Sequence, residues 1–376
     1  MSATGALSAM KILLGLCGVG LGHATRAKVV IHHLARQGHR VLVAAAGQTY
    51  PFLELLRTSE GATPFDLAPL VGFGMHCEAG ALDLRGSVEL NARSLPDMLA
   101  KNAEAWEVAD RFTPDVVITD FDSFAWSFAR SRGLPLLSLD NGQIVRCCAI
   151  DPFVSSRDPV GFRFLSRFNS LIVPDADHYI VTSFFFPPPR PEFASSVTLV
   201  PAILRPEVVQ LLRDPPRTRD HVLVYKTASL DDETFMNALA CVPMQRFIVY
   251  GLRTEHSMPP NVERRAFSEA AFIRDLATAR AIISNGGMSM LGEAIAFRKP
   301  VLAVPVRGQY EQEINAAYLE HLGLGASSPT LEPAELTGFL ERVPQYEARL
   351  RGLPDHDRNA RLYASLDALF PPARTT

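Results

Sequence analysis

A histidine, a strand-end aspartate and a glycine-rich turn followed by a glutamate are the residues of this chain best suited to chemistry. His23 closes the run Gly18-Val19-Gly20-Leu21-Gly22-His23, whose glycines permit unusual backbone angles and let a second group come close. An imidazole titrating near neutrality can accept a proton from a hydroxyl nucleophile. A carboxylate on its other ring nitrogen would support that role, and Asp120 follows the apolar run 116–119, which reads as a strand. The plainer role for His23 is to satisfy backbone groups at a turn, and spacing alone leaves both open. The second constellation is Ser284-Asn285-Gly286-Gly287-Met288-Ser289-Met290-Leu291-Gly292-Glu293. Gly286 and Gly287 stand where a strand-to-helix turn would expose N–H groups and a helix N-terminus, a natural seat for phosphate oxygens. Glu293, further along that helix, could accept hydrogen bonds from two vicinal ribose hydroxyls. Glu311 and Gln312, with Asn315 beyond, suit the hydroxyls of a sugar. A tight turn with a solvated helix face would explain any one of these residues, but explains the whole set poorly.

The glycine loop is not a dinucleotide fingerprint. Its spacing is G-x-G-x-G rather than G-x-G-x-x-G, and the second strand ends in Ala44-Ala45-Ala46-Gly47, without an acid to hold an adenosine ribose. A nicotinamide or flavin enzyme is therefore disfavoured. Asp120-Phe121-Asp122 and Asp175-Ala176-Asp177 are short D-x-D patterns that arise easily by chance. No metal site is expected.

Continuous apolar strands separated by helical patterns must position these residues. Runs at 12–17, 41–46, 116–119 and 136–139 predict a parallel sheet covered on both faces. The region 47–93 carries no clear period. Prolines at 187, 188, 189, 191, 201, 206, 215 and 216 predict a stiff interdomain connection. Strand and helix patterns then restart with runs at 221–225, 247–250, 281–284 and 301–304. The segment from Asp120 to Pro135 has the same spacing as that from Asn285 to Pro300, so each half delivers polar residues to a strand end before a returning helix. Ligands of open α/β sheets bind at such ends. The fold class is thus α/β, with two Rossmann-like domains facing across a cleft. The first covers 1–205 and the second 206–376, with the last helix around 359–369 able to cross back onto the first.

Bulk properties narrow the partners. The 376 residues are 47% hydrophobic and 20% charged with a net charge of -3, so no overall basic field draws the chain to nucleic acid. The five cysteines are odd in number and lack zinc-ligand spacing, and they read as reduced thiols of a cytoplasmic protein. The apolar run at 12–16 is too short for a membrane span. Residues 1–9 read as an unstructured leader, with Met10 as an alternative start. Phe162, Phe164 and Phe168 alternate with Arg163 and Arg167, a mixture that can dock peripherally on the inner membrane face beside a lipid-linked acceptor. Core packing with solvated arginines fits it better.

The run from Asn285 to Asn315, GG-x-S-x-x-x-E-A…KP-V-L-x-x-P…EQ-x-x-NA, resembles the donor-binding box of inverting glycosyltransferases of the GT-B fold. Gly18 to Arg26, G-x-G-x-G-H-x-x-R, resembles their acceptor-side loop, and Leu139-Asp140-Asn141-Gly142-Gln143 is similar to a segment of MurG-like proteins. The likeness spans roughly residues 11 to 325. It implies His23 as catalytic base and Asp120 as the carboxylate that orients it. It implies Gly286, Gly287 and Ser289 at a diphosphate, Glu293 at the ribose, and Glu311 with Gln312 at the donor sugar. The base would lie near Ala266 and Phe267, and the loop Gly20, Gly22 and Arg26 on the acceptor side. Two positions depart from the pattern. Asn285 stands where many relatives have a phosphate-binding histidine, and Lys226 could supply the missing charge. The implied reaction transfers a sugar from a nucleotide-sugar, with uridine favoured, to a hydroxyl on a small-molecule or lipid-linked acceptor, without a cofactor. A nucleotide-sugar epimerase or hydrolase of the same fold, and a non-catalytic nucleotide-sugar-binding protein, are the alternatives.

Overall fold

The computed structural model describes residues 9–59, 61, 63–74, 76–78, 81–226, 231–252 and 258–373. Residues 1–8 of the leader expected at 1–9, and residues 227–230 after Lys226, lie outside them. Strands β1 (Lys11–Leu16), β2 (Arg40–Ala46) and β3 (Asp66–Leu70) precede a short antiparallel hairpin, β4 (His76–Glu78) and β5 (Ala81–Asp83). β6 (Val116–Asp120), β7 (Leu136–Asp140), β8 (His178–Ser183) and β9 (Val197–Pro201) follow. Except for the hairpin, these strands form one parallel sheet in the order β3-β2-β1-β6-β7-β8-β9. A second parallel sheet contains β10 (Val222–Tyr225), β11 (Phe247–Tyr250), β12 (Val262–Arg264), β13 (Ala281–Ser284), β14 (Val301–Ala303) and β15 (Gly325–Ser327). Its order is β12-β11-β10-β13-β14-β15.

The apolar runs are buried on both faces, as their lack of polar alternation requires. Ile12, Leu14 and Leu16 of β1 enter one core cluster while Leu13 enters another on the opposite face. In the second sheet Val222 and Val224 face one core and Leu223 the other. Both sheets reverse their strand order at an inner pair, β1 with β6 and β10 with β13. Open sheets form their ligand crevice at such a reversal, because the two connecting segments leave in opposite directions there. Leu16 is in register with Asp120, and Tyr225 with Ser284. Both motifs picked out by their chemistry therefore stand at reversal points.

Three features go beyond the sequence reading. Seven strands were absent from the apolar runs: β3, β9, β12 and β15 lie at sheet edges, β4 and β5 form the short hairpin, and the inner strand β8 carries an apolar run only at 179–181. The region without a clear period contains the first turns of a long helix, Leu84–Phe112, that includes Pro96 and is largely solvent-facing. The proline-dense zone is also not one connection. Its first part turns between β8 and β9 inside the first sheet, and only the chain after β9 leads to the second.

The chain finally returns to its starting unit. Leu362 and Leu366 of the helix Ala360–Leu369, with Phe370 directly after it, complete the core that contains Ile12 and Val43. Tyr363 stacks on His33 with 4.4 Å between centroids, and the His33 ring meets Asp367 Oδ1 at 2.7 Å. Asn359 donates to the Leu204 carbonyl and accepts from its N–H, so the outgoing and returning segments are fastened side by side.

Candidate active site

Two helix N-termini converge at the site. Helix Leu21–Arg36 starts directly after the glycine loop, and helix Met288–Ala296 starts directly after Gly287. A β-carbon on Gly22 would lie 3.2 Å from Ser289 Oγ, so the two starts nearly touch, and a larger residue at 22 would require Ser289 to shift by a few tenths of an ångström. Aligned peptide dipoles leave partial positive charge at each start, and both fields fall on the same gap. Gly286 has φ of 81°, a left-handed angle that turns the chain sharply from β13 into the helix. Asn315 Nδ2 donates to the Gly286 carbonyl at 3.0 Å and fixes that turn. Asn285 Nδ2 is used on the Val304 carbonyl at 3.1 Å.

On the other side of the gap, His23 Nδ1 lies 2.9 Å from Asp120 Oδ1, so the contact with the carboxylate does not use Nε2. The ring is 19% exposed while Asp120 is buried. Arg26 makes a fork on the same carboxylate, from Nε to Oδ2 at 3.0 Å and from Nη2 to Oδ1 at 2.6 Å. Burial alone would raise the Asp120 carboxyl, but Arg26 and then His23 outweigh it and hold the group below its ordinary 3.8. Asp120 is therefore a carboxylate already neutralised by Arg26, and its main effect on His23 is orientation. Sequence reasoning placed Arg26 in an acceptor loop. The structure buries it against Asp120, a role signalled only by its place one helical turn after His23.

Two further aspartates crowd this edge. Asp122 accepts from the Ala125 N–H and starts the helix Ser123–Arg132, and Asp140 accepts from the Gln143 N–H and the Ser138 hydroxyl. Burial, and secondarily the charge of Asp120, pushes Asp140 up to about 6; burial also pushes Asp122 up to about 6. Of the other D-x-D pair, Asp175 and Asp177 both bind Arg130. Asn141 and Gln143, which follow Asp140, are buried, and among the described residues Asn141 Nδ2 and both polar atoms of the Gln143 amide have no hydrogen-bond partner.

In the second unit, Glu293 is buried and both of its oxygens are held by Arg205, Nε to Oε1 at 2.7 Å and Nη2 to Oε2 at 2.5 Å. Arg205 also reaches Glu269 at 3.2 Å, and Lys28 of the first helix reaches Glu207 at 2.6 Å. The Arg205 fork was hidden in the sequence because the residue lies in the proline-rich segment read as a connection. Lys226 is buried and paired with Asp232 at 2.7 Å, so its charge is already matched. Phe267 is 53% exposed, its ring 6.5 Å from that of Tyr225 and 5.6 Å from that of Phe272. Gln312 Oε1 accepts from the Val306 N–H at 3.0 Å, which leaves its amide N–H groups as donors. Glu311 and Gln312 open the helix Tyr310–His321, whose Tyr310 ring lies 5.9 Å from Phe164. Phe164 stacks on Phe168, and Phe168 meets Phe121, so these phenylalanines form an aromatic wall from Asp120 to Tyr310. Arg163 and Arg167 point outward. No helix among the described residues is long and apolar enough to cross a membrane.

Comparison with known proteins follows the same outline. The sequence profile of the family described as Glycosyl transferase family 1 matches residues 10–344. A Methanosarcina acetivorans protein named as an uncharacterized glycosyltransferase is 26% identical over 348 residues, covering 87% of this chain and 88% of that one. A second from the same organism is 28% identical over 352 residues, covering 84% and 83%. Among solved structures, the calicheamicin glycosyltransferase CalG4 is 20% identical with a TM-score of 0.61, covering 96% of this chain and 98% of that one. Phytolacca americana UGT2, solved with UDP-2-fluoro-glucose and pterostilbene, is 16% identical with a TM-score of 0.62, covering 96% and 99%. The two parallel sheets are those of the GT-B fold.

Proposed function

Because the chain belongs to glycosyl transferase family 1 and is a glycosyltransferase acting on a nucleotide-sugar and an acceptor, we propose that it catalyses inverting transfer from a UDP-sugar to a hydroxyl. The observation that carries the proposal is the pairing of His23 with Asp120 directly across from the helix that starts at Met288. In the proposed step the acceptor hydroxyl gives its proton to His23 Nε2 while its oxygen attacks the anomeric carbon. The bond to the diphosphate breaks on the opposite face, and one inversion results. Charge growing on the leaving diphosphate meets the Met288 helix start and the Ser289 hydroxyl, which serve without a metal. Glu311 and Gln312 hold the sugar, and the exposed Phe267 ring offers a surface for the base. The wall of Phe121, Phe168 and Phe164 favours an acceptor with an apolar body, small and aromatic or lipid-linked.

Glu293 is assigned to the ribose on the same reading, with Arg205 fixing its carboxylate in place. Substitutions on the two sides of the gap then fail differently. His23→Ala should keep UDP affinity and lose turnover, whereas Glu293→Ala should lose affinity. Calorimetric titration with UDP beside a transfer assay checks this, and parental transfer by His23→Ala would remove the general base from the mechanism.

A further inference from the structure

Five charged side chains form one continuous cluster where the first helix of the first unit meets the segment leading to the second. Lys28 of the helix Leu21–Arg36 is only 8% exposed, and a buried ammonium is costly unless it is paired. Its Nζ donates to Glu207 Oε1 at 2.6 Å and lies 3.7 Å from Glu269 Oε2. Arg205, on the other flank, donates to Glu269 Oε1 at 3.2 Å and holds both oxygens of Glu293. Three carboxylates thus share two cations, and Glu269 is divided between them. Glu207 Oε2 is buried and has no hydrogen-bond partner among the described residues. Burial works against the charge of Glu207, but Lys28, with a smaller contribution from Arg205, holds its carboxyl below the ordinary 4.5.

Without Lys28, Arg205 is the one cation of the cluster left for three carboxylates. It already acts on Glu207, and a buried carboxylate that loses its partner draws in the nearest guanidinium. The fork on Glu293 is directional, so a guanidinium pulled toward Glu207 gives it up. We propose that Lys28 is a positioning residue for nucleotide-sugar binding: it occupies Glu207 and shares Glu269, and so leaves the Arg205 fork to Glu293. The proposal rests on the assignment of Glu293 to the ribose. Each Glu293 oxygen keeps acceptor capacity beyond the bond to Arg205, so the gripped carboxylate can still take two hydroxyls. Lys28 and His23 stand on the same helix, which therefore carries the proton acceptor and also sets the carboxylate that receives the ribose.

Calorimetric titration of the full chain with UDP, and with its dideoxy analogue that lacks both ribose hydroxyls, tests this. The parent should bind UDP roughly tenfold or more tightly than the analogue, because the hydroxyls meet a charged acceptor. Lys28→Met should lose most of that preference by weakening UDP, while affinity for the analogue holds. Lys28→Arg keeps the charge and should keep the preference. Lys28→Met/Glu207→Gln should regain it, because the carboxylate that competes for Arg205 is gone. A simple tether between the units would behave otherwise: both ligands would weaken alike, and the double variant would stay as weak as Lys28→Met. Either result overturns the proposal, as does an undiminished preference in Lys28→Met. If Lys28→Met does not fold, Lys28→Gln, which keeps a neutral donor, takes its place with the same expectation. A parent without preference for UDP over the analogue would instead remove Glu293 from the ribose, and the role of Lys28 with it.

Discussion

Arg26→Met isolates the buried ion pair on which the His23 edge rests. The Arg26 and Asp120 side chains are 4% and 2% exposed, and the fork between them is complete. Removing one partner of such a pair strands the other charge and costs about 3–5 kcal/mol. His23 remains 2.9 Å away as a second polar partner of the carboxylate, which places the expected loss near the lower figure. For a unit of this size each kcal/mol moves the midpoint by about 2–4 °C, so the transition of the first unit should fall by roughly 6–12 °C at pH 7.5. The pH dependence has a definite sign. In the parent the Asp120 pKa is depressed, so its stabilisation is present above 3.8 and is lost as pH falls through the folded value. Without Arg26, burial dominates and raises that pKa, so Asp120 takes up a proton on mild acidification and the penalty shrinks towards pH 5. Scanning calorimetry at the two pH values measures this, with Arg26→Met/Asp120→Asn as the closing corner of a cycle. The double variant should recover most of the loss. A fall below about 2 °C for Arg26→Met, or a double variant as unstable as the two single losses added, would refute the reasoning.

Other buried groups give complementary expectations. Asp140 titrates near 6 when folded, above its ordinary 3.8, so its contribution is full below 3.8 and is lost as pH rises through 6. Asp140→Asn should flatten the decline in the first unit's midpoint between pH 4 and 6, which calorimetry across that window would record. Lys299 is held down to about 8 by burial, with Glu347 opposing, and its Nζ donates to Thr218 at 2.9 Å. Its charged form is therefore unfavourable at pH 7. Lys299→Met should raise the midpoint there, with the gain shrinking as pH passes from 8 towards 10.5.

The chemistry of the site was easier to read from the sequence than its electrostatic partners were. The apolar runs at β1, β6, β10 and β13 announced buried parallel strands, and the glycines after β1 and β13 marked where those strands end. Those two facts locate the crevice, because reversal points are a property of parallel sheets. Arg205 and Arg26 were not legible in the same way. Their partners Glu293 and Asp120 are 88 and 94 positions distant, and no local period encodes a contact of that range. The edge strands β3, β9, β12 and β15 were missed because an edge strand needs less apolar surface than an inner one. Asn141 stood in a recognisable segment, but only the structure shows that its side chain is buried and that, among the described residues, its Nδ2 has no partner.

The outgoing and returning segments that Asn359 fastens together have a mechanical consequence. A single connecting peptide would act as a swivel, free to twist about any bond. Two peptides running side by side behave like the spine of a book, strong against twisting and compliant to one rotation. His356, whose Nε2 lies 2.8 Å from the Ala202 carbonyl, adds a second stitch to that spine. Any rotation of one cover against the other would thereby be confined to one axis, the one that separates Gly22 from Ser289. A protease that cuts one of the two segments leaves the covers bound by the other.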